Sequence, residues 1–508
     1  MGKNRSILVQ KNLIYALLFY ISSNLLKFIV RFFFVKSLPV EFLGVNGLLS
    51  NVLALLSFAE LGIGQAIVFS LYKPIADDNK KTIIAIMSLY KKLYNIVGFL
   101  IIVCGLAITP CLDWFIKDSQ IEELNIYYII FVINMGVSYF FAYKRDLIIA
   151  YQKQYINNEY KMIFQVILSV LQIIALILFE SYFVYLFLML VITVIENYCV
   201  GRKAEKLFPF LQKCNANNIV LYEIKQGIIK NIKALIMHRI GTIFVTASPN
   251  LIISKFIGLK AVALYSNYFM VLFAVNNFAV NMFGAITANI GNLLIEEGKK
   301  EKIKIFKLVQ FVIGLQSAVI CSGFYVLLNP LIKLWLGQDF LFDNNIVTLL
   351  IINFYLNYMR RGVLVFREAS GLYWQDRFKP IAEGLIFVVS AVVLQSKTGM
   401  IGIPMGLILS TIFTSFWVEP YVLFNNGIDI KLKDYFIDYF KFTVVALLAA
   451  VLSKVLYSNL FDKVTLLNFI AGMVLCVVIT LSLWFAVFKN RQECRYLLNK
   501  LMLKMAKK

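Results

Sequence analysis

Block after block of roughly 20 apolar residues recurs along this chain, each long enough to cross a hydrocarbon core as one helix. Stretches such as Ile96–Ile108 and Val464–Phe488 hold almost no charge. The chain is 60% hydrophobic and 15% charged. A soluble domain is about 45–50% apolar and about 25% charged. The surplus is too large for a single buried core, so the chain is expected to be an all-α, polytopic membrane protein.

Breaks of charged or turn-forming residues divide the apolar blocks into about fourteen predicted helices. The first six are 12–36, 42–72, 82–109, 125–150, 160–180 and 182–202. The next six are 228–257, 261–294, 305–328, 345–366, 380–397 and 401–424, and the last two are 439–459 and 464–488. Basic residues test this division. With the N-terminus inside, 39 Lys and Arg fall on the inner side, 8 on the outer side, and Lys27, Arg31 and Arg239 within helices. One missed or spurious helix would invert every later loop and erode the asymmetry, so the distribution predicts an even number of spans with both termini cytoplasmic. It also accounts for the net charge of +22 without a nucleic-acid partner.

The basic start, Met1–Lys11, leads into the first span. No small-residue cleavage pattern follows, and Lys27 and Arg31 interrupt the apolar run, so it is read as a transmembrane helix and not as a signal peptide. The seven cysteines show no CxxC pair and no metal-type spacing, and serve as small hydrophobic residues. No metal or other cofactor is expected. Trp114, Trp335 and Trp484 are placed as interfacial anchors.

The longest polar connection, near Lys203–Gln226, separates helices one to six from helices seven to twelve. Six is even, so both halves enter the membrane in the same direction. That geometry suits two six-helix lobes related by an axis along the membrane normal, with a cavity between them and two further C-terminal helices. The expected organisation is an N-terminal lobe over 1–203, a cytoplasmic linker over 204–227, a C-terminal lobe over 228–424, and the added helices with a basic tail over 425–508. A faint internal repeat sets Leu48-Leu49-Ser50-Asn51 against Leu264-Tyr265-Ser266-Asn267.

The segment Phe42-Leu-Gly-Val-Asn-Gly-Leu-Leu-Ser-Asn51 continues through Leu55-Leu-Ser-Phe-Ala-Glu-Leu-Gly-Ile-Gly-Gln65 to Ser70-Leu-Tyr-Lys-Pro74. It resembles the second-helix region of Wzx-type polysaccharide flippases, of the multidrug/oligosaccharidyl-lipid/polysaccharide exporter superfamily. Shorter similar patches are Ala150-Tyr-Gln-Lys-Gln154, Ile257-Gly-Leu259 with Leu264-Tyr-Ser-Asn-Tyr268, Gly371-Leu-Tyr-Trp-Gln-Asp-Arg-Phe-Lys379 and Glu419-Pro-Tyr421. The resemblance implies alternating access between two six-helix lobes. It implies oligosaccharide linked to polyprenyl diphosphate as the substrate, made in the cytoplasm for capsule, exopolysaccharide or O-antigen, at the cell membrane. Polysaccharide polymerase and glycosyltransferases are the partners it suggests.

Charges at depth are the candidate functional groups, because a charge in hydrocarbon costs about 2.5–3.5 kcal/mol on insertion scales and so faces a cavity. On the first helix Asn24, Lys27 and Arg31 stand at i, i+3 and i+7 and form one polar stripe. Arg31 is near enough to the outer end to snorkel, and Lys27 is deeper. Their proposed role is to attract a diphosphate or an acidic sugar. Glu60, beside Gly62 and Gly64, is a substrate-cavity residue that balances Lys27 or carries a coupling proton, with an ion pair for packing as the alternative. His238, the only histidine, is a second coupling candidate, with a hydrogen-bonded packing role as the alternative. Arg239 beside it is a further cavity cation. Pro249, inside the seventh helix, is a hinge candidate. Glu196, Glu383 and Glu419 are read as solvated helix ends, and Arg360 and Arg361 as topology signals.

No Gly-rich phosphate loop ending in Lys-Ser/Thr appears, which leaves an ion gradient or the membrane potential as the drive. A multidrug exporter of the same superfamily is the nearest alternative, but free amphiphilic cations call for acidic groups more than for a Lys27/Arg31 stripe. A membrane polysaccharide polymerase or glycosyltransferase is the alternative from another class. Such enzymes present catalytic residues on sizeable external loops, and these loops are short. The chain is therefore expected to be a transporter and not an enzyme.

Overall fold

The computed structural model describes residues 2–57, 60, 63–116, 121, 123–213, 226, 241, 244–296, 298–372 and 374–505. The described residues are helical almost throughout, and the chain forms two compact units, Met1–Ala263 and Leu264–Lys508. The linker expected at 204–227 lies for the most part outside the described residues.

The first unit contains α1 (Gly2–Ser37), α2 (Val40–Leu56), α3 (Ile63–Ala76), α4 (Lys80–Ile108), α5 (Leu124–Ala150), α6 (Gln154–Phe179), α7 (Tyr182–Leu207) and α8 (244–256). α9 (Leu259–Glu296) leads into the second unit, which continues with α10 (Lys299–Leu336), α11 (Asn344–Met359) and α12 (Arg361–Ala369). Then come α13 (Lys379–Thr398), α14 (Gly402–Phe413), α15 (Ser415–Asn426), α16 (Leu432–Leu460), α17 (Leu466–Phe488) and α18 (Gln492–Met505).

Among the described residues, ten helical segments are long and apolar enough to cross a membrane, against the fourteen expected. The differences are local. The second expected span, 42–72, is two shorter apolar helices, α2 and α3. Half of the seventh, 228–257, lies outside the described residues, and α8 falls in the described half. The tenth, 345–366, breaks at Arg360 into α11 and α12; the eleventh, 380–397, is α13, and the twelfth, 401–424, is α14 and α15, which a short turn over Gly399–Ile401 separates from α13. With its apolar helices, the chain is a multi-pass membrane protein.

In the first unit α5 packs against α4 and α7, α6 against α1 and α7, and α3 against α4 and α5. A small-residue contact draws α4 and α5 together. A Cβ on Gly98 would stand 2.9 Å from the Gly136 carbonyl oxygen, and one on Gly136 would stand 2.3 Å from Ile102 Cγ1. Between apolar helices in lipid, such backbone approach and the dispersion contacts it allows supply the association that water would otherwise drive. In the second unit α10 packs against α11, α16 and α17. Trp484 of α17 is 3% exposed and packs on Phe311, Phe442 and Phe488. It is a core residue, not the interfacial anchor expected from its place near a helix end, because its face of α17 turns toward α10 and α16. Trp114, by contrast, is 66% exposed, with the Lys255 ammonium over its ring.

Gly136→Val forces a branched side chain into Ile102 and lowers stability by about 1–3 kcal/mol through overpacking. Gly323→Ala, inside α10 with nothing within 4 Å of its Cβ position, leaves it unchanged or raises it by up to about 1 kcal/mol. Thermal unfolding of the two variants in detergent checks the contrast.

Candidate functional site

α1 runs unbroken through Asn24, Lys27 and Arg31, so the three remain in one stripe, but their environments differ. The Asn24 amide donates to the Tyr20 carbonyl of its own helix, 2.7 Å away, and that donor is spent locally. Arg31 is half-buried and lies in the field of Tyr182 and Tyr185 of α7, where Phe34 meets both rings edge-on. Lys27 is exposed. It lies about 15 Å from the end of α1 at Ser37, near the middle of a core about 30 Å thick.

The direction in which Lys27 is exposed matters more than the exposure. Leu18, Ile21, Leu25 and Ile29 form an exposed apolar stripe on α1, as a lipid-facing surface would. At about 100° per residue, Lys27 stands roughly 160° around the helix from Leu25 and Ile29. Lys27 therefore opens on the opposite side of α1 from the apolar stripe. Among the described residues no carboxylate pairs with it, and Glu60 does not.

Glu60 is not in the middle of a continuous helix. It sits in the tight turn between α2 and α3, where its N–H donates to the Ser57 carbonyl at 3.0 Å and the Ile63 N–H donates to the Glu60 carbonyl at 2.8 Å. The Ser57 hydroxyl bonds back to Ala54 at 2.6 Å, which competes with continuation of the helical ladder. The turn delivers the carboxylate to a tyrosine cluster. Tyr94 Oη donates to Glu60 Oε1 at 3.0 Å, and Tyr139 Oη donates to Glu60 Oε2 at 3.1 Å. Beside them Tyr90 donates to Asp146 in a short hydrogen bond. A Cβ on Gly64 would stand 2.6 Å from Tyr94 Oη, 3.0 Å from Tyr90 Oη and 3.3 Å from Asp146 Oδ2, so the missing side chain is what lets these oxygens converge.

Sequence reasoning missed Asp146, Tyr90, Tyr94 and Tyr139. Asp146 follows Lys144-Arg145 and reads as a helix-end charge. A trace was present: Tyr90 and Tyr94 are at i, i+4 and face one way. Arg145 is held by Glu196 at 2.7 Å, so Glu196 is a paired residue and not a solvated end.

The second unit holds a buried ion network. Arg360, at the break between α11 and α12, donates Nη2 to Glu419 Oε1 at 2.8 Å and Nε to Glu419 Oε2 at 3.0 Å. It also reaches Asn357 at 2.8 Å and Glu383 at 3.3 Å. Lys379 pairs with Glu419, Arg367 pairs with Asp376, and Ser415 donates to Glu383 at 2.6 Å. Glu419 is 0% exposed, and Glu383 is also buried, which corrects the expectation of solvated ends. Arg360 is a structural ion-pair residue, not a topology signal alone. Three cations meet three carboxylates, so the cluster is neutral, and it gathers α12, α13 and α15 around two helix breaks.

His238 and Arg239 lie outside the described residues. Pro249 is buried in α8, which runs helical through it over 244–256.

No protein-family model and no curated protein sequence matches this chain. Solved structures do. A lipid II flippase, MurJ, in an inward closed conformation superposes with a TM-score of 0.66 at 11% identity, covering 93% of this chain and 99% of its own. An inward-facing multidrug resistance MATE-family transporter of the MOP superfamily gives 0.63 at 14% identity, covering 79% of this chain and 94% of its own. A mutant of the Vibrio cholerae MATE transporter VcmN gives 0.59 at 13% identity, covering 83% and 98%. The fold of this chain is that of MOP-superfamily transporters.

Glu419→Gln removes the carboxylate that Arg360 and Lys379 share and that Arg367 approaches at 3.8 Å, and stability of the folded protein falls by about 3–5 kcal/mol because buried charges lose their partner. Glu301→Gln, whose 3.1 Å pair with Lys304 is solvent-exposed, changes stability by less than about 1 kcal/mol. Thermal unfolding in detergent separates the two.

Proposed function

We propose that this protein is a flippase, carrying oligosaccharide linked to polyprenyl diphosphate from the inner to the outer leaflet by alternating access. The observation that carries the proposal is Lys27. A cation at mid-depth, exposed on the side of α1 turned away from the apolar stripe and without a carboxylate partner among the described residues, requires water or an anionic ligand beside it. A diphosphate crossing an apolar slab needs fixed positive charge along its way, and Lys27 with Arg31 supplies it from one helix. Arg239 extends the cationic path and Pro249 serves as a hinge. Glu60 takes part in coupling, and His238 is a second group with that role. A lipid II flippase is among the structures that share the fold over nearly the whole chain, which supports reading the substrate as lipid-linked.

A multidrug exporter would offer free carboxylates to a cationic drug. Both Glu60 oxygens and one Asp146 oxygen already accept tyrosine hydroxyls, which favours the anionic substrate. The proposed setting is the cell membrane with both termini cytoplasmic, between glycosyltransferases that build the repeat unit and a polymerase that consumes it.

Lys27→Ala is expected to stop delivery of lipid-linked units to the outer leaflet while the protein still inserts at the normal level. Lys27→Arg restores it. Labelling of outer-leaflet glycan in cells lacking the wild-type gene reads both, and normal export by Lys27→Ala would remove the site assignment.

A further inference from the structure

The turn that joins α12 to α13 sets a cation against two aromatic rings at the foot of an apolar groove. Gly371, at φ +67°, reverses the chain, and the Leu372 N–H donates to the Arg367 carbonyl at 3.2 Å. Asp376 is buried and pairs with buried Arg367, and the Lys379 N–H donates to the Asp376 carbonyl at 2.9 Å. Held at this base, the turn displays its other side chains outward. Trp374 is 68% exposed and Phe378 59%. The Arg377 guanidinium carbon lies 4.0 Å from the centre of the Trp374 ring and 4.7 Å from the centre of the Phe378 ring. Arg377 Nη1 donates to the Trp374 carbonyl at 2.8 Å, and among the described residues no carboxylate pairs with this cation. An arginine held against aromatic faces keeps further in-plane N–H donors for a phosphate. Exposed aromatic rings at the end of a spanning helix belong at headgroup level.

α13 continues the line. At about 100° per residue, Phe378, Leu385, Val389 and Val393 fall within about 80° of one another around the helix axis. The three aliphatic side chains are exposed and border a groove of about 490 Å³, completed by Leu394 and by Leu409 of α14. Small residues shape it. A Cβ on Gly406 would stand 3.0 Å from the Ala391 backbone, and one on Gly402 would stand 2.3 Å from the Gln395 nitrogen, so α13 and α14 meet backbone to backbone beneath the larger side chains. Ser390, the polar residue in the lining, donates its hydroxyl to the Ile386 carbonyl at 2.6 Å and is satisfied within its own helix. The groove therefore asks for hydrocarbon alone. From Leu385 to Leu394 it runs about 14 Å, close to half of a core about 30 Å thick.

We propose that the α12–α13 turn and the α13–α14 groove together bind one anionic phospholipid, with its phosphate on Arg377, its glycerol region beside Trp374 and Phe378, and an acyl chain in the groove. A lone cation would accept any anion from solution, and a lone groove any lipid. Joined end to end, they select a molecule that carries a phosphate at one end and a chain one leaflet long. A net negative headgroup complements the Arg377 charge, whereas a choline headgroup brings an ammonium toward it. The orientation proposed above places the site in the inner leaflet. The binding itself depends neither on that orientation nor on transport.

Native mass spectrometry of the purified, delipidated full-length protein, titrated with phosphatidylglycerol or phosphatidylcholine, tests the site. The expected result is one phosphatidylglycerol bound about tenfold more tightly than phosphatidylcholine, the worth of a hydrogen bond to a charged group. Arg377→Gln removes that preference. Lys397→Gln, at the far end of α13, retains it. Val389→Trp fills the groove and weakens both lipids alike. Val389 is largely exposed and Arg377 has no acidic partner among the described residues, so both variants fold. Equal binding of the two lipids by the wild type, a preference that survives Arg377→Gln, a preference lost equally in Lys397→Gln, or unchanged binding by Val389→Trp overturns the inference. A polyprenyl monophosphate that binds more tightly than phosphatidylglycerol, and does so through Arg377, assigns the groove to the transported lipid and overturns it as well.

Discussion

A polar group carried into an apolar slab must find its partner inside the chain, because no water is there to serve it. This constraint organises the protein at every scale. It makes the described residues almost wholly helical, since a helix satisfies its backbone within one segment. It confines charge to a few places, and at each of those places it dictates the neighbours. Helix breaks fall under the same rule, because each break frees backbone donors and acceptors that a continuous helix would have used.

The two units meet the constraint differently. In the second unit the breaks at Arg360 and Thr414 adjoin a neutral cluster in which Glu419 is shared by Arg360 and Lys379 and Glu383 accepts from Arg360 and Ser415. Such a network contributes less to net stability than its number of contacts suggests, but removing one member leaves a buried charge without a partner. It fixes which helices meet at the break. In the first unit the break at Glu60 is met by neutral tyrosine hydroxyls in place of fixed cations. A carboxylate held by hydroxyls can gain and lose a proton without leaving a stranded cation, and one locked between an arginine and a lysine cannot. The first arrangement suits exchange and the second suits architecture.

Much of this was legible in the linear sequence, and what was not has a common cause. The apolar blocks predicted α1, α4 to α7, α10, α16 and α17 closely, because a span is a property of consecutive residues. The block at 42–72 did not reveal its break, since hydropathy sums over Glu60 without registering a turn. Lys27 stood out as a deep cation because depth along a helix is counted in residues. Asn24 shared its stripe, yet its amide is bound to its own backbone. Glu383, Glu419 and Asp146 sat near predicted helix ends and were indistinguishable from solvated charges. Trp484 looked like an interfacial anchor for the same reason.

What the sequence determined by itself is the membrane-spanning all-helical architecture, the approximate spans and the identity of the charges that need explaining. All of these follow from sums over neighbouring residues. Only the tertiary structure decided which charges are paired. Arg360 meets Glu419 across 59 positions and Tyr90 meets Asp146 across 56, and no local pattern encodes a distance between groups so far apart in the chain. The sequence supplies the polar groups, but helix packing, set by close contacts such as Gly98 on Gly136, brings each one to its partner.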